Sequence, residues 1–360
     1  MNALPAAEQA LAGKRVLVTG HTGFTGGWAT LWLRQIGAEV SGFALRPETD
    51  PSLFEAIGGE QEQGNHFGDI VDFEALQGVF DAVKPELVLH LAAQPLVRRS
   101  YAEPVRTFAV NTLGTAHVLE AARLTGGVRG VVCVTTDKVY KNREWEWAYR
   151  EADELGGNDP YSASKAAAEI VIASFAKSFG KADGAAAIAS ARGGNIIGGG
   201  DWSADRLVPD FVRAVVNRTG MTLRYPQATR PWQHVLALVH GYILLLAGLV
   251  SEAPQSVARA WNLGPLEIEQ FPVGKVLELL SAAWERPALQ FMDLPLPEAG
   301  ALALDSSSAF NLLGWRPAWD TRKSIEMTAE WYRQYYLDTR SARAVTLAQI
   351  EQWRSEVNDR

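Results

Sequence analysis

Arg15-Val-Leu-Val-Thr19 runs directly into Gly20-His-Thr-Gly23-Phe-Thr-Gly26, and an apolar pattern of helical spacing follows over 28–36. The first run reads as a short buried strand, and the spacing after Gly26 reads as a helix. Glycines between such elements permit a tight turn and let backbone N–H groups approach a diphosphate. The helix N-terminus adds partial positive charge. A strand–helix connection that binds nothing carries the same glycines, so the flanking sequence has to decide.

Outward from this loop, β-branched runs at 39–44, 87–91, 131–135 and 186–191 alternate with helical patterns at 72–83, 105–124 and 162–179. Such alternation predicts an α/β fold, a Rossmann-like doubly wound parallel sheet with helices on both faces. Right-handed crossovers put the strands' carboxyl ends along one edge, where ligands bind. After Gly193 the rhythm changes: Gly, Pro and Trp become frequent, and helices at 206–217 and 235–249 stand between loops. The expected organisation is a dinucleotide-binding domain over 13–192, with chain returns from the C-terminal half. A smaller mixed α/β lobe for substrate follows over 193–335, then a helical tail over 336–360 without assigned role.

The 360 residues suffice for one large domain with an appended lobe, at about 150 residues per domain. A net charge of −7 speaks against nucleic acid or an anionic membrane as partner. The single cysteine, Cys133, excludes an intrachain disulfide and reads as a small buried hydrophobe. No leader pattern opens the chain, and 235–249 is too short for a membrane span, so the expected compartment is the cytoplasm. The six histidines show no metal-ligand spacing, and no metal is expected.

A second motif, Tyr161-Ser-Ala-Ser-Lys165, opens the 162–179 helix. Residues four apart share a helix face, so phenol and ammonium converge on one ligand. A cation beside the phenol would favour the phenolate and make Tyr161 a base near neutrality. Thr136 ends the strand 131–135 at the sheet's carboxyl edge, followed by Asp137 and Lys138. A hydroxyl there reaches the same substrate oxygen as Tyr161.

Gly-x-x-Gly-x-x-Gly after a first strand, together with Thr136, Tyr161 and Lys165, resembles the extended short-chain dehydrogenase/reductase superfamily. Within its sugar-nucleotide epimerase/dehydratase branch, Thr136-Asp137-Lys138 resembles the subgroup acting on CDP-glucose; other 4,6-dehydratases usually carry Glu where Lys138 stands. The stretches His90-Leu91-Ala92-Ala93-Gln94 through Arg98, Arg192-Gly-Gly-Asn195, Asp201-Trp202 through Arg206 and Arg230-Pro-Trp-Gln-His234 extend the likeness over nearly the whole chain.

The resemblance implies catalysis by Thr136, Asp137, Lys138, Tyr161 and Lys165. It implies a dinucleotide on Gly20, His21, Thr22, Gly23, Phe24, Thr25 and Gly26. Arg46, Asp69, Ile70, Leu91, Ala92, Ala93, Tyr161 and Lys165 complete the cofactor set. Substrate contacts fall to Gln94, Arg98, Asn195, Asp201, Trp202, Arg206, Arg230 and His234. The expected cofactor is NAD; Arg46 at the tip of the second strand leaves NADP open, with Glu48 and Asp50 less well placed. The implied substrate is CDP-glucose or a related nucleotide sugar, and the implied product the 4-dehydro-6-deoxy sugar nucleotide plus water. Lys138 is left with two roles, neutral base or stabiliser of an enolate. A homodimer is implied through helices 105–124 and 162–179. Rival readings are another nucleotide-sugar 4,6-dehydratase, a 4-epimerase or reductase, and a catalytically idle dinucleotide-binding regulator.

Overall fold

The computed structural model describes residues 3–180, 182, 184–223, 226–265, 271–291, 302–337 and 341–359. Its centre is a sheet of seven strands: β1 Arg15–Thr19, β2 Glu39–Ala44, β3 Asn65–Phe67, β4 Leu87–His90, β5 Gly130–Val134, β6 Ala187–Gly193 and β7 Ala260–Leu263. The spatial order is β7-β6-β5-β4-β1-β2-β3, and every neighbouring pair is parallel. The order reverses between β1 and β4, which opens the crevice where such sheets bind ligands.

Burial on both faces explains why the strands read as continuous apolar runs. Val16 and Val18 of β1 face one core, with Trp28, Trp32 and the helix Val235–Leu249. Leu17 faces the other, with Phe80, Val118, Leu119 and Ile172. Cys133 lies in this second core, where burial raises its thiol pKa, as befits an inert packing residue. Val235–Leu249 is buried on nearly all sides and, at 15 residues, is a core helix. Among the described residues no helix is long and apolar enough to cross a membrane.

β7 returns the later half of the chain to the sheet, a strand that periodicity did not reveal. The remainder of that half is built from two-stranded pieces, such as Thr229–Arg230 against Phe271–Pro272, and the helices Leu207–Val216 and Val273–Ala283. The expected tail is helical where described. Thr321–Tyr336 and Ala342–Asn358 pack back onto the large core, and Arg354 grips Glu8 of the N-terminal helix with contacts of 2.7 and 2.8 Å.

Candidate active site

Gly20 has φ of +76°, and a Cβ there would stand 2.7 Å from the Ala92 backbone nitrogen. A Cβ on Gly26 would collide with the Gly20 carbonyl. Only glycine permits this crossing of the β1 and β4 ends. The helix Phe24–Gln35 starts at Gly23, whose N-cap position has no side chain to cap the first turn. A bare helix N-terminus on a glycine cradle at the sheet's switch point fits a dinucleotide diphosphate.

The loop's side chains are used within the protein. Thr22 Oγ1 donates to the Leu45 carbonyl at 2.8 Å, and the Phe24 ring packs beside Gly198. His21, expected at the cofactor, is only 3 % exposed, with its ring against Phe54 and Phe67. Burial lowers its pKa to about 4. Its imidazole is therefore a neutral packing group, which leaves only its backbone to face a ligand.

At the β4 end, His90 joins Thr19 Oγ1 through Nδ1 at 2.7 Å and Thr115 Oγ1 through Nε2 at 3.0 Å. The Ala92 N–H donates to Thr19 Oγ1 at 3.3 Å, and the Leu91 N–H continues the ladder onto the Thr19 carbonyl. Ile70 is buried against Gly114. Asp69 accepts from the Val71 N–H and from Arg106. The helix that follows, Phe73–Val83, is capped by Asp72.

The helix Pro160–Phe179 begins with a reciprocal cap. Asp159 accepts from the Tyr161 and Ser162 N–H groups, and Ser162 Oγ accepts from the Asp159 N–H. This fixes the first turn, and with it Tyr161. Thr136 lies in hydrogen-bonding proximity to the Tyr161 phenol, and Asp137 and Arg206 act on that phenol electrostatically. Lys165, one turn on, donates to the Val134 carbonyl at 3.0 Å and acts on His90 across the β4 end. Hydroxyl, phenol and ammonium thus gather at the β5 end, beside the glycine cradle.

Burial raises Tyr161 to about 12, and Lys165 is not among the groups that offset this; Thr136 and Arg206 are. Burial lowers Lys165 to about 8, opposed by its neighbours Cys133 and Glu169. One donor of the ammonium is held by the Val134 carbonyl, which fixes Lys165 at the β5 end. Asp137 behaves as an acid should. It is 3 % exposed, burial raises its pKa, and Thr136 Oγ1 donates to it at 3.0 Å. Lys138 and Arg230 both act on it as cations, and a side chain at Gly194 would crowd it at 3.2 Å.

The residues expected at substrate divide. Arg206 lies by Tyr161, held by Asp201 at 2.9 Å. Arg230 lies by Asp137, and Asn195 stands next to Gly194 on the loop leaving β6. Arg98, in the helix Val97–Ala102, reaches Asp205 at 2.9 Å in the loop before Leu207–Val216. Three others do not join them. The Gln94 amide is engaged by the Leu96 backbone of its own loop and by Thr107 of the helix Pro104–Phe108. Trp202 packs among Trp331, Tyr332 and Tyr335 and donates to the Tyr336 hydroxyl. His234 caps Val235–Leu249 inside a cage of Trp28, Trp319 and Trp353 and is 1 % exposed.

Two residues unforeseen in the sequence support the site. Asn111, fully buried, bridges the Gln94 backbone and Ser164. Glu169, one turn beyond Lys165, accepts from Thr135 at 2.5 Å, Ser190 at 2.9 Å and Arg192 at 2.7 Å. The spacing Tyr161, Lys165, Glu169 was the available signal, since all three lie on one helix face.

A parallel sheet reversing at a glycine cradle, with hydroxyl, phenol and ammonium at the neighbouring strand end, defines an enzyme of the extended short-chain dehydrogenase/reductase class. The chain belongs to the GDP-mannose 4,6-dehydratase family, whose profile matches residues 17–328. It is 43% identical to the CDP-glucose 4,6-dehydratase of Salmonella typhimurium, over 90% of this chain and 91% of that one. Among solved structures, the UDP-glucose 4-epimerase of Thermus thermophilus in complex with NAD aligns with a TM-score of 0.75 at 26% identity. That alignment covers 89% of this chain and 99% of that one. An epimerase of Methanothermobacter thermautotrophicus aligns at 0.77 and 25% identity, over 94% and 98% of the two chains.

Proposed function

We propose that the protein is an NAD-dependent CDP-glucose 4,6-dehydratase, converting CDP-D-glucose to CDP-4-dehydro-6-deoxy-D-glucose and water. The observation that carries this reading is the buried acid Asp137 between the Thr136 hydroxyl and the Lys138 cation. Oxidation at C4 alone needs no proton donor for a leaving group; loss of the C6 hydroxyl does. The similarity to the Salmonella enzyme over nine-tenths of the chain supports the choice of CDP-glucose.

Bound NAD supplies the acceptor for the C4 hydride and the donor that returns it to C6, so it is unchanged over a turnover. Tyr161 takes the proton of the C4 hydroxyl, which Thr136 orients. The resulting ketone acidifies the C5 proton; water takes it, and the Lys138 cation stabilises the enolate that forms. Asp137 gives its proton to the C6 hydroxyl, which leaves as water. Solvent then protonates C5. Lys165 holds the cofactor ribose, while Arg206 and Arg230 bind the substrate diphosphate. The lobe over 193–335 contributes those two arginines and closes over the sugar, limiting access of water to the reactive intermediates.

We assign the working form as a homodimer. Val105 is 82 % exposed and Ile170 62 %, on two helical stretches that lie side by side, an apolar face that a second copy would cover. Within the chain, Ala166 and Ala168 are already buried. The cytoplasm is the matching compartment for such chemistry.

The test offers CDP-, dTDP-, UDP- and GDP-glucose with NAD and reads product mass. The expected result is loss of one water from CDP-glucose, and a strong decrease of that loss in Asp137→Asn. An unchanged mass with an epimerised sugar would contradict the reading. So would an inert protein that still binds dinucleotide.

A further inference from the structure

The residues at the tip of β2 pose a conflict. An arginine there usually receives the 2′-phosphate of NADP, whereas an acid accepts from the ribose 2′-hydroxyl of NAD. Arg46 stands at that tip, two residues beyond β2. The Thr22 bond to the Leu45 carbonyl pins it beside the glycine turn. Its guanidinium lies 4.4 Å over the Phe67 ring, whose centre is 6.1 Å from that of His21 of the turn. Arg46 thus leaves the β2 tip beside the glycine turn and lies on Phe67, whose other ring neighbour is His21 of that turn.

The acid comes from elsewhere. Glu60, from the turn before β3, meets Arg46 Nη1 at 3.1 Å. The two border an open groove of about 380 Å³, lined also by Glu62, Gly64, Asn65 and Phe67. The Arg46 guanidinium thus has Glu60 as its carboxylate partner. Glu62 is already paired with Arg34 at 3.2 Å and Arg343 at 2.7 Å. A phosphate entering here would find its cation taken and a carboxylate in its path, whereas a hydroxyl donates to that carboxylate without charge conflict.

We propose that the Arg46–Glu60 pair reads the 2′ position of the adenosine ribose, with Glu60 rejecting NADP by neutralising the arginine that would otherwise welcome it. This rests on the dinucleotide-dependent reading above. Glu60 accepts from the 2′-hydroxyl, and Arg46 stays stacked on Phe67. Removing the carboxylate releases Arg46 toward a phosphate.

The experiment measures Kd for NAD and for NADP, by quenching of tryptophan fluorescence, in the wild-type protein, Glu60→Gln and Glu60→Gln/Arg46→Ala. Circular dichroism checks the fold of each; both side chains are at least half exposed, so folding should survive. The wild type should favour NAD by about tenfold or more, Glu60→Gln should bind NADP about tenfold tighter than wild type, and the double variant should lose that gain. A Glu60→Gln preference equal to wild type overturns the proposal, as does a wild type that favours NADP. A gain that survives removal of Arg46 overturns it as well. If NAD binds and only the preference fails to move, the pair is not the reader while the dehydratase reading stands. If the folded wild type binds neither dinucleotide, both fall.

Discussion

Tyr161 and Lys165 carry opposite shifts from one cause. Burial raises the phenol to about 12 and lowers the ammonium to about 8. If turnover needs phenolate and ammonium together, their joint population rises with pH and levels off where Lys165 begins to lose its proton. The kcat/KM profile of the free enzyme should therefore climb through neutrality and flatten near pH 8. Glu169 is a carboxylate whose charge opposes the Lys165 shift. Glu169→Gln should lower that pKa further and move the bend to more acid pH. A bend left in place would show that Glu169 only packs. The same variant leaves the buried Arg192 without its ion-pair partner, at a stability cost of about 3 kcal/mol or more, readable by urea unfolding. Tyr161→Phe removes the proton acceptor and should reduce turnover by about a hundredfold or more, measured as product formed per enzyme.

At the scale of elements, the active face depends on how one helix starts. Asp159 satisfies two N–H groups at the head of Pro160–Phe179, directly beside Tyr161. Asp159→Ala should cost about 1 kcal/mol in urea unfolding and lower turnover more than it lowers dinucleotide affinity, because the first turn frays where the phenol is held. Equal losses in both would place the defect elsewhere. This start was legible in the sequence, as were β1, the glycine turn and the buried Val235–Leu249 helix, because local rules govern them. β7 was hidden for a tertiary reason. Asn262 lies within it and breaks the apolar run, and its amide is bonded to the Tyr140 hydroxyl and the Tyr149 and Asp305 carbonyls, all distant in sequence. His234 misled for a similar reason. Two walls of its cage, Trp319 and Trp353, come from the C-terminal part of the chain, and no local pattern announces them. The direction in which Lys165 points was equally illegible, since the Val134 carbonyl that receives it lies on another element.

The whole molecule stores a sensitivity to acid. Burial lowers His21 to about 4 and His90, His234 and His240 to about 3. The unfolded chain takes up these protons near about 6.5, and the folded chain does not until far lower pH. Through these histidines stability should fall as pH drops from about 6.5 toward 4, measured as the urea midpoint across that range. His240→Phe, keeping an aromatic ring beside Trp32, should make the fall shallower. At the same scale, Val105→Glu with Ile170→Lys should convert the expected dimer to monomer in gel filtration. The chemistry itself is that of a dehydratase. The most direct measurement of that chemistry supplies CDP-glucose carrying deuterium at C4 and locates the label in the product. The account predicts a product lighter by one water with the deuterium at C6. Deuterium remaining at C4, or a product that keeps its C6 oxygen, would contradict it.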